Sequence, residues 1–462
     1  IDLTVGDIFQ MYGKGLSYHS YYDRNIDYDN SVRGIDLTYH VNDNFDIFAL
    51  TGYNNFQTRL SPKSIEPDIH LDHTLGMGGF DYFHDIFDIH YSFAANQQKI
   101  DPETISTMKN FANFYGQYIR ERFEFADPID FKMKTSEHNL GMTFYLGDLE
   151  LYFEKSLVYY NKILDERVKG SRFYFSSYFT ILDYGFLYEY KKYDTPYLYS
   201  TFSNPPTLFK EASSPLISRH LHSVDFSNEI GHQFSINRTF SNQVSMLFNF
   251  AFAHKNLYND SSKYFGLSHV IDNFLKFEDL EDYSNLLPYR QAYLEFNGWS
   301  KDEKIFYKVG IDHYLEYFNL DGNLIDTTIF SSADKLLEAK TIPTQFTYKF
   351  NQGNSISMYL EFQKLEESLS ANPSISDVLY FSPSYNHYGQ WIISLFSDLE
   401  KKSTTNDLEG YHGLDFTYYL SDTRIISVFL GSQKGGLVCA NGTCVQQPDF
   451  TDGIKVTARI MF

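Results

Sequence analysis

Two short stretches of the chain carry residue types that could hold a metal ion. His70, Asp72 and His73 offer the imidazole and carboxylate groups that zinc takes as ligands. On an extended strand, however, His70 and Asp72 share one face and His73 points to the other, so a surface position is favoured over a metal site. Residues 319–326 (NLDGNLID) faintly resemble a calcium loop, but a β-turn at Asp-Gly explains them more simply. We therefore expect no metal and no cofactor.

Catalytic motifs with a recognisable spacing are absent from the sequence. It contains no Gly-x-Ser-x-Gly elbow, no phosphate-binding loop and no His-Glu-x-x-His. A phospholipase-like Ser/His/Asn set spread over distant strands stays open as an alternative, but we expect no enzyme. The formal net charge of −21 argues against nucleic acid as a partner, because phosphate binding needs clustered Lys and Arg. The acidic surplus favours either a solvated surface or a region that attracts cations.

The two cysteines lie close together near the end of the chain. Cys439 and Cys444 flank Ala-Asn-Gly-Thr, in which Asn-Gly signals a tight turn, so the thiols could face each other across a small loop. In an oxidising compartment a disulfide is the expected state, and it would place this loop outside the cytoplasm.

Alternating apolar and polar residues are the main structural signal. Val244, Met246, Phe248 and Phe250 alternate with more polar neighbours, and similar segments recur along the whole sequence. Very short polar turns join these segments on one side. Long polar segments join them on the other, at 99–135, 197–222, 257–287 and 319–336. Apolar runs are too short for a transmembrane helix, which needs about 18 consecutive apolar residues.

These features predict an all-β fold, a single closed transmembrane antiparallel β-barrel that occupies residues 1–462 as one domain. We expect about 20 strands, within a range of 16–24, with short periplasmic turns and long extracellular loops. The first strand is predicted near residues 3–20. A soluble β-sandwich or propeller is the competing interpretation, but such proteins bury their apolar face and lack the asymmetry of the connections.

Polar residues on the faces turned away from lipid would line the lumen of such a barrel. Acidic residues lead among them, so a water-filled lumen would be acidic and would prefer cations mildly. The alternative is a lumen filled by inward side chains and folded-in loops. The predicted lumen-facing positions are Asp88, His90, Glu150, Glu154, Asp183, Glu189, Lys308, Asp312, Glu361, Asp415, Lys455 and Arg459.

The end of the sequence, GIKVTARIMF, has a strict period of two. Lys455 and Arg459 fall on its polar face. A barrel has no free edge only when its last strand pairs with its first, so we expect this segment to pair with the strand near Val5. The apolar face carries Ile454, Val456, Ala458, Ile460 and Phe462.

Two stretches resemble a narrower group. Residues 5–37 (VGDIFQMYGKGLSYHSYYDRNIDYDNSVRGIDL) and 435–462 (GGLVCANGTCVQQPDFTDGIKVTARIMF) resemble the opening and closing segments of large outer-membrane β-barrel proteins of Bacteroidota, a functionally uncharacterised group. The terminal aromatic strand also resembles the signal that the barrel assembly machinery reads in outer-membrane barrels. The resemblance implies an outer-membrane location and adds little on function.

Taken together, the sequence predicts an integral outer-membrane β-barrel that acts as a pore or transport-related channel. The alternative is a structural scaffold barrel that docks other envelope proteins in an outer-membrane complex. Expected partners are outer-membrane lipid and lipopolysaccharide, the barrel assembly machinery and other envelope proteins, with no nucleic acid. Conductance of the purified barrel distinguishes these two functions.

Overall fold

The structure is a computed structural model. It describes residues 1–23, 28–58, 69–100, 131–163, 166–195, 202–210, 214–222, 224, 228–241, 243–254, 289–319, 334–369, 372–403, 407–421, 424–440, 443–447 and 450–460.

Long strands dominate the described residues, as the alternating pattern predicts. In chain order they are β1 (Asp2–Ile8), β2 (Met11–Tyr12), β3 (Tyr18–His19), β4 (Tyr22–Asp23), β5 (Tyr28–Asp29), β6 (Val32–Asn42), β7 (Phe45–Thr58), β8 (Ile69–His84), β9 (Phe87–Ile100), β10 (Phe131–Leu146), β11 (Leu149–Ile163), β12 (Glu166–Ile181), β13 (Tyr184–Asp194), β14 (Asn228–Ser241), β15 (Val244–His254), β16 (Tyr289–Trp299), β17 (Ile305–Asn319), β18 (Asp334–Lys349), β19 (Asn354–Leu369), β20 (Asn372–His387), β21 (Trp391–Lys402), β22 (Leu408–Ser421), β23 (Arg424–Gln433), β24 (Gly436–Ala440), β25 (Thr443–Gln447) and β26 (Phe450–Ile460). One helical turn, α1 (Pro215–Ser218), precedes β14. No described helix is long and apolar enough to cross a membrane.

Twenty of these strands form one antiparallel sheet. Its registers run from β1 to β6, through each consecutive strand from β6 to β23, and from β23 to β26. The predicted all-β class, antiparallel pairing and count of about 20 strands are confirmed. Closure of the sheet into a barrel is not confirmed, because the described residues show no paired register between β1 and β26, the two ends of the sheet. The predicted pairing of the last strand with the first stays a prediction.

The predicted first strand is too long. The strand β1 ends at Ile8, and the chain leaves the sheet instead of continuing to residue 20. Gly13 and Gly15 take positive φ angles of 60° and 81°, a conformation that glycine adopts without steric cost, and they turn the chain across the sheet. Residues 9–23 and 28–31, here called the N-terminal insert, lie on one face of the sheet.

Connections differ in length between the two ends of the strands. At one end they have two to five residues, from 43–44 to 300–304. At the other end the longest are 101–130, 195–227 and 255–288, although 164–165 and 370–371 are short there as well. The connection 403–407 at this end has five residues, so the predicted asymmetry is present with three exceptions.

The face without inserts, here called the open face, carries an apolar belt. Ile342, Phe362, Leu379 and Leu399 lie directly opposite one another on β18 to β21. Two residues nearer the long connections, a charged row follows the same strands: Lys340, Lys364, Asp377 and Lys401. Aromatic residues lie near the short turns, among them Tyr348, Tyr385, Trp391 and Tyr418. The apolar belt therefore has a sharp polar boundary on one side and an aromatic one on the other.

Candidate functional site

The opposite face of the sheet, here called the inner face, is polar and largely covered. Strand register places eleven of the twelve predicted lumen-facing residues on it. Lys455 and Arg459 belong to this set because Lys455 lies opposite Phe429, which in turn lies opposite Asp415. Asp183 is the exception, because it lies in the exposed turn between β12 and β13 with a φ of 65°. Its prediction as a lumen residue is wrong, since the strand begins one residue later.

Burial divides the predicted residues into two groups. Glu154, Asp312 and Glu361 are almost fully buried, with exposed fractions of 1%, 2% and 0%. Glu150 and Lys455 are exposed, one next to a short turn and the other on the edge strand. The covered part of the inner face is therefore the part that the inserts contact.

The N-terminal insert is anchored on Glu154 of β11. The Lys14 backbone N–H donates to Glu154 Oε2 at 2.7 Å, the Tyr152 hydroxyl donates to the same oxygen at 2.6 Å, and Asn139 Nδ2 donates to Oε1 at 2.8 Å. Three donors stabilise one buried carboxylate, which would otherwise carry a large desolvation cost. Close by, Arg172 Nη1 donates to the Leu16 carbonyl at 2.6 Å.

Aromatic packing holds the first turn of the same insert. Tyr12 stacks on Phe48 of β7 with ring centroids 4.2 Å apart, and its hydroxyl donates to Asp36 Oδ1 at 3.0 Å. Tyr18 is fully buried, and its ring lies 6.1 Å from that of Phe202. Contacts of this kind combine apolar burial with satisfied hydroxyl groups.

A second segment, residues 202–222, also lies on the inner face, and we call it the central insert; residues 202–210 and 214–222 of it are described. At α1, the Leu216 backbone N–H donates to Glu361 Oε2 at 3.0 Å. Arg219 Nη2 donates to Asp398 Oδ2 on β21 at 2.5 Å. The two inserts meet where the Asn204 N–H donates to the Gly15 carbonyl at 3.1 Å.

His222 ends the central insert inside a cluster of charged residues. Its Nδ1 lies 2.7 Å from Glu316 Oε1, and its Nε2 lies 3.2 Å from Glu229 Oε2. Lys191 Nζ lies 2.5 Å from the other oxygen of Glu229. The imidazole stacks on Tyr289 with centroids 4.0 Å apart and planes 8° apart. Burial opposes the charged imidazolium, but the two carboxylates outweigh it and raise the pKa of His222 to about 9.

Tyrosine and glutamate two residues apart form a recurring unit on the inner face. In Tyr152–Glu154, Tyr293–Glu295 and Tyr314–Glu316 the tyrosine hydroxyl donates to the glutamate of the same strand. Residues i and i+2 share a face of a strand, which explains the spacing. The four sequence copies are YFE at 152–154, YLE at 293–295, YLE at 314–316 and YLE at 359–361. This signal is visible in the sequence and marks buried carboxylates of the inner face, among them Glu295 and Glu316.

The other predicted sites have different outcomes. His73 is buried on the inner face, whereas His70 and Asp72 are exposed on the open face, so the three do not converge. The described residues contain no group of three potential metal ligands. Residues 320–326 of the weak calcium-loop candidate lie outside the described residues. Cys439 and Cys444 are opposite each other in the β24–β25 register, but their side chains lie outside the description, so the disulfide stays a prediction.

The positions of the predicted assembly signal can be located only in part. Ile454 and Val456 lie on the open face of β26 with exposed fractions of 70% and 66%. Ala458 shares this face by register, opposite Ile426 of β23. The side chain of Ile460 and the whole of Phe462 lie outside the described residues.

One family model matches the whole chain, residues 1–462, and is described as "Family of unknown function (DUF6029)". No curated relative matches the sequence. Among solved structures, the outer membrane transporter YddB from Escherichia coli aligns with a TM-score of 0.45 at 6% identity, covering 92% of this chain and 67% of that chain. The ferric yersiniabactin uptake receptor FyuA from Yersinia pestis gives 0.42 at 7%, covering 93% and 70%. The "Copper transporter OprC" gives 0.41 at 9%, covering 96% and 73%. Likenesses with scores below 0.5 decide neither fold nor function.

Proposed function

The chain belongs to this family of unknown function, DUF6029, and we propose that it is an integral outer-membrane β-barrel, a transport-related channel that its own two inserts hold shut. The observation that carries the proposal is the two-sided sheet. One face is an exposed apolar belt with sharp boundaries, and the other is a polar surface covered by segments of the same chain.

The apolar belt supports a membrane location. Along β18, Ile342 and Tyr348 lie six residues apart, which corresponds to roughly 20 Å at about 3.3 Å per residue. Because strands of outer-membrane barrels tilt by about 35–45°, this length spans a height of roughly 15 Å, which is the larger part of their apolar band of about 25 Å with its flanking aromatic residues. In a soluble protein an exposed apolar surface of this extent would promote aggregation. Lipid is the environment in which it is stable.

Closure of the barrel is part of the proposal. The sheet has 20 strands, an even number, so its first and last strands run in opposite directions and can pair as antiparallel neighbours. Val5 and Val456 are both exposed on the open face, at 68% and 66%. Pairing of β1 with β26 would satisfy the two free edges, which lipid cannot do.

The polar inner face supports a channel, and the inserts support a closed one. Buried carboxylates, amides and cations line this face. Such groups are costly to bury, so a face that only packed against other segments would be expected to carry apolar side chains instead. Where the inserts cover the inner face, their backbone N–H groups donate hydrogen bonds to its carboxylates, as Lys14 does to Glu154 and Leu216 does to Glu361. Opening then requires an insert to move.

We extend the proposal to the partners. The charged row at Lys340, Lys364, Asp377 and Lys401 would lie at the headgroups of the outer leaflet, where lipopolysaccharide is the anionic neighbour. The apolar positions of β26 and the terminal Phe462 would serve the barrel assembly machinery as its signal. Deletion of Phe462 should then impair assembly more than any property of the lumen.

Single-channel recordings test this proposal. The wild-type protein is reconstituted in planar bilayers beside a variant in which a short Gly-Ser linker replaces residues 203–221. We expect rare or no openings in the wild type and discrete conductance steps in the variant. Heat-modifiable migration on gels and a strand-rich circular dichroism spectrum confirm that both are folded barrels. A folded variant that never conducts contradicts the channel.

The scaffold function remains the second candidate, and the burial of inner-face residues such as Glu154 and Glu361 under the two inserts favours it. In that case the inserts never leave the inner face, and the protein acts by binding other envelope proteins through its surface. Subunits that co-purify in stoichiometric amounts, together with no conductance from either protein, would support the scaffold.

A further inference from the structure

The central insert is rich in cations, and each lies against an acidic or aromatic group of the wall. Arg219 reaches Asp398, and His222 bridges Glu229 and Glu316. Lys210 Nζ lies 5.3 Å from the ring centroid of Tyr293, next to the glutamate of that Tyr-x-Glu unit. Arg219 and His222 thus pair with opposite charges, and Lys210 lies over an aromatic ring.

The wall behind this insert has a surplus of acids. Six of the buried carboxylates on this wall are Glu229, Glu295, Asp312, Glu316, Glu361 and Asp398. Two lysines of the wall, Lys191 and Lys308, offset part of this charge, at 2.5 Å from Glu229 and 4.0 Å from Glu295. Lys210, Arg219 and His222 of the insert offset most of the remaining acidic surplus. If the insert left, the wall would hold uncompensated buried carboxylates, which are costly without a cation.

The His222 position has the form of a cation site. Two carboxylates contact the two ring nitrogens, and the Tyr289 ring covers the face of the imidazole at 4.0 Å. Carboxylates combined with an aromatic face are what proteins use to bind guanidinium and ammonium groups. A second sign of an incomplete site lies close to Arg219: Glu361 Oε1 is buried without a hydrogen-bond partner among the described residues.

We infer that Arg219 and His222 occupy a binding site for an organic cation, and that the central insert acts as a built-in competitor for a solute that carries guanidinium or amine groups. The site consists of Glu229, Glu316, Glu361, Asp398 and the face of Tyr289. This inference rests on the proposed function, because it names the class of solute that the channel takes once the insert is displaced.

Calorimetric titration with agmatine, which carries a guanidinium and an amine, tests the site without any recording of conductance. The double variant Arg219→Gln/His222→Gln should bind agmatine, and the wild type should bind it far more weakly because the insert competes. Adding Asp398→Asn to the double variant should weaken binding about 10-fold or more, since a charged hydrogen-bond partner is lost. Lys364→Gln on the open face is the matched control, because it also removes one cation yet leaves the inner face unchanged.

Ion selectivity gives the second readout. The double variant should conduct with a preference for K⁺ over Cl⁻, and millimolar agmatine should block the current, whereas glutamate should not. Conductance without cation preference and without agmatine binding would overturn the inference but leave the channel intact. If no variant conducts, the proposed function fails, and the titration alone decides the site: binding supports it and absence of binding refutes it. Heat-modifiable migration verifies that each variant is folded.

Discussion

The N-terminal and central inserts cover the same face but are held by different forces. Lys14 is attached through its backbone N–H to Glu154, and Tyr12 is attached through ring stacking on Phe48. The central insert also uses a backbone N–H, that of Leu216 to Glu361, and buried apolar side chains such as Phe202. Among the contacts described above, it alone adds side-chain ion pairs, Arg219 to Asp398 and His222 to its two glutamates.

This difference determines which insert can be exchanged. Backbone bonds and stacked rings have no counterpart in a small solute, so nothing dissolved in water replaces them easily. In a buried ion pair, the attraction between the charges offsets the desolvation cost only while both partners are present. Another cation can replace the one that leaves. We therefore expect the N-terminal insert to be the fixed part of the fold and the central insert to be the movable part.

The largest effect should come from removing the anchor of the fixed insert. Glu154→Ala leaves three donors without their acceptor and should lower the free energy of unfolding by on the order of 3 kcal/mol. Urea unfolding in lipid vesicles, followed by fluorescence, measures it. Glu150→Ala, on the same strand and face but exposed, should change little. Equal losses in the two variants would show that the anchor is unimportant.

A smaller effect is expected at the movable insert. Asp398→Asn removes the partner of Arg219, whose side chain is 23% exposed, so the loss should be about 1–2 kcal/mol instead of the full cost of a buried pair. Limited proteolysis within residues 202–222 should accelerate, while cleavage of residues 9–23 should not. Asp415→Asn, on the next strand, is the matched control. Equal acceleration in both inserts would contradict independent attachment.

Weakening the contact between the two inserts should lower the free energy of unfolding by less than Asp398→Asn does. At Gly15, φ is +81°, and an added Cβ would lie 2.8 Å from the Asn204 carbonyl oxygen. Gly15→Ala should therefore destabilise the protein by about 1 kcal/mol and increase cleavage of the central insert only. Gly6→Ala separates the two causes, because Gly6 also has a positive φ but has free space around it. If Gly6→Ala has the same effect on cleavage, contact with Asn204 is irrelevant.

A pH dependence between pH 7 and 8.5 is also expected. The attached imidazole of His222 has a pKa raised to about 9, whereas a released one titrates near its ordinary value of 6.5. Its stabilising contribution is therefore fully present below pH 6.5 and decreases as the pH rises toward 9. The ionisable groups packed around His222 are Glu229, Lys191, Glu316 and Tyr289. Proteolysis of the central insert, corrected for protease activity, should accelerate with pH, and His222→Gln should remove this dependence.

Much of the sheet could be predicted from the sequence because strand pattern is a local property. A period of two assigns each residue to a face, which placed Glu154, Asp312 and Glu361 on the inner face. Asp183 is an exception because it lies in the turn before β13, where the alternation of a strand does not apply. The faces of a strand are thus predictable, but its ends are less so.

The inserts could not be predicted because their positions depend on partners distant in sequence. Nothing near Leu216 indicates that its N–H meets Glu361, which lies 145 residues further along the chain. In the sequence, segment 197–222 looks like any of the other long polar connections. The Tyr-x-Glu units were the available signal, since a glutamate paired with tyrosine on an inner face marks a carboxylate that the fold keeps buried.

Native-state hydrogen exchange at two backbone amides tests the central claim most directly. The protein is embedded in lipid vesicles at constant pH, and exchange is followed at Lys14 and Leu216, both of which donate to buried glutamates. If the central insert opens while the N-terminal insert stays in place, the Leu216 amide should exchange at least about 10-fold faster than that of Lys14, through partial opening of the structure. Equal protection at the two amides would contradict a movable central insert and a fixed N-terminal one.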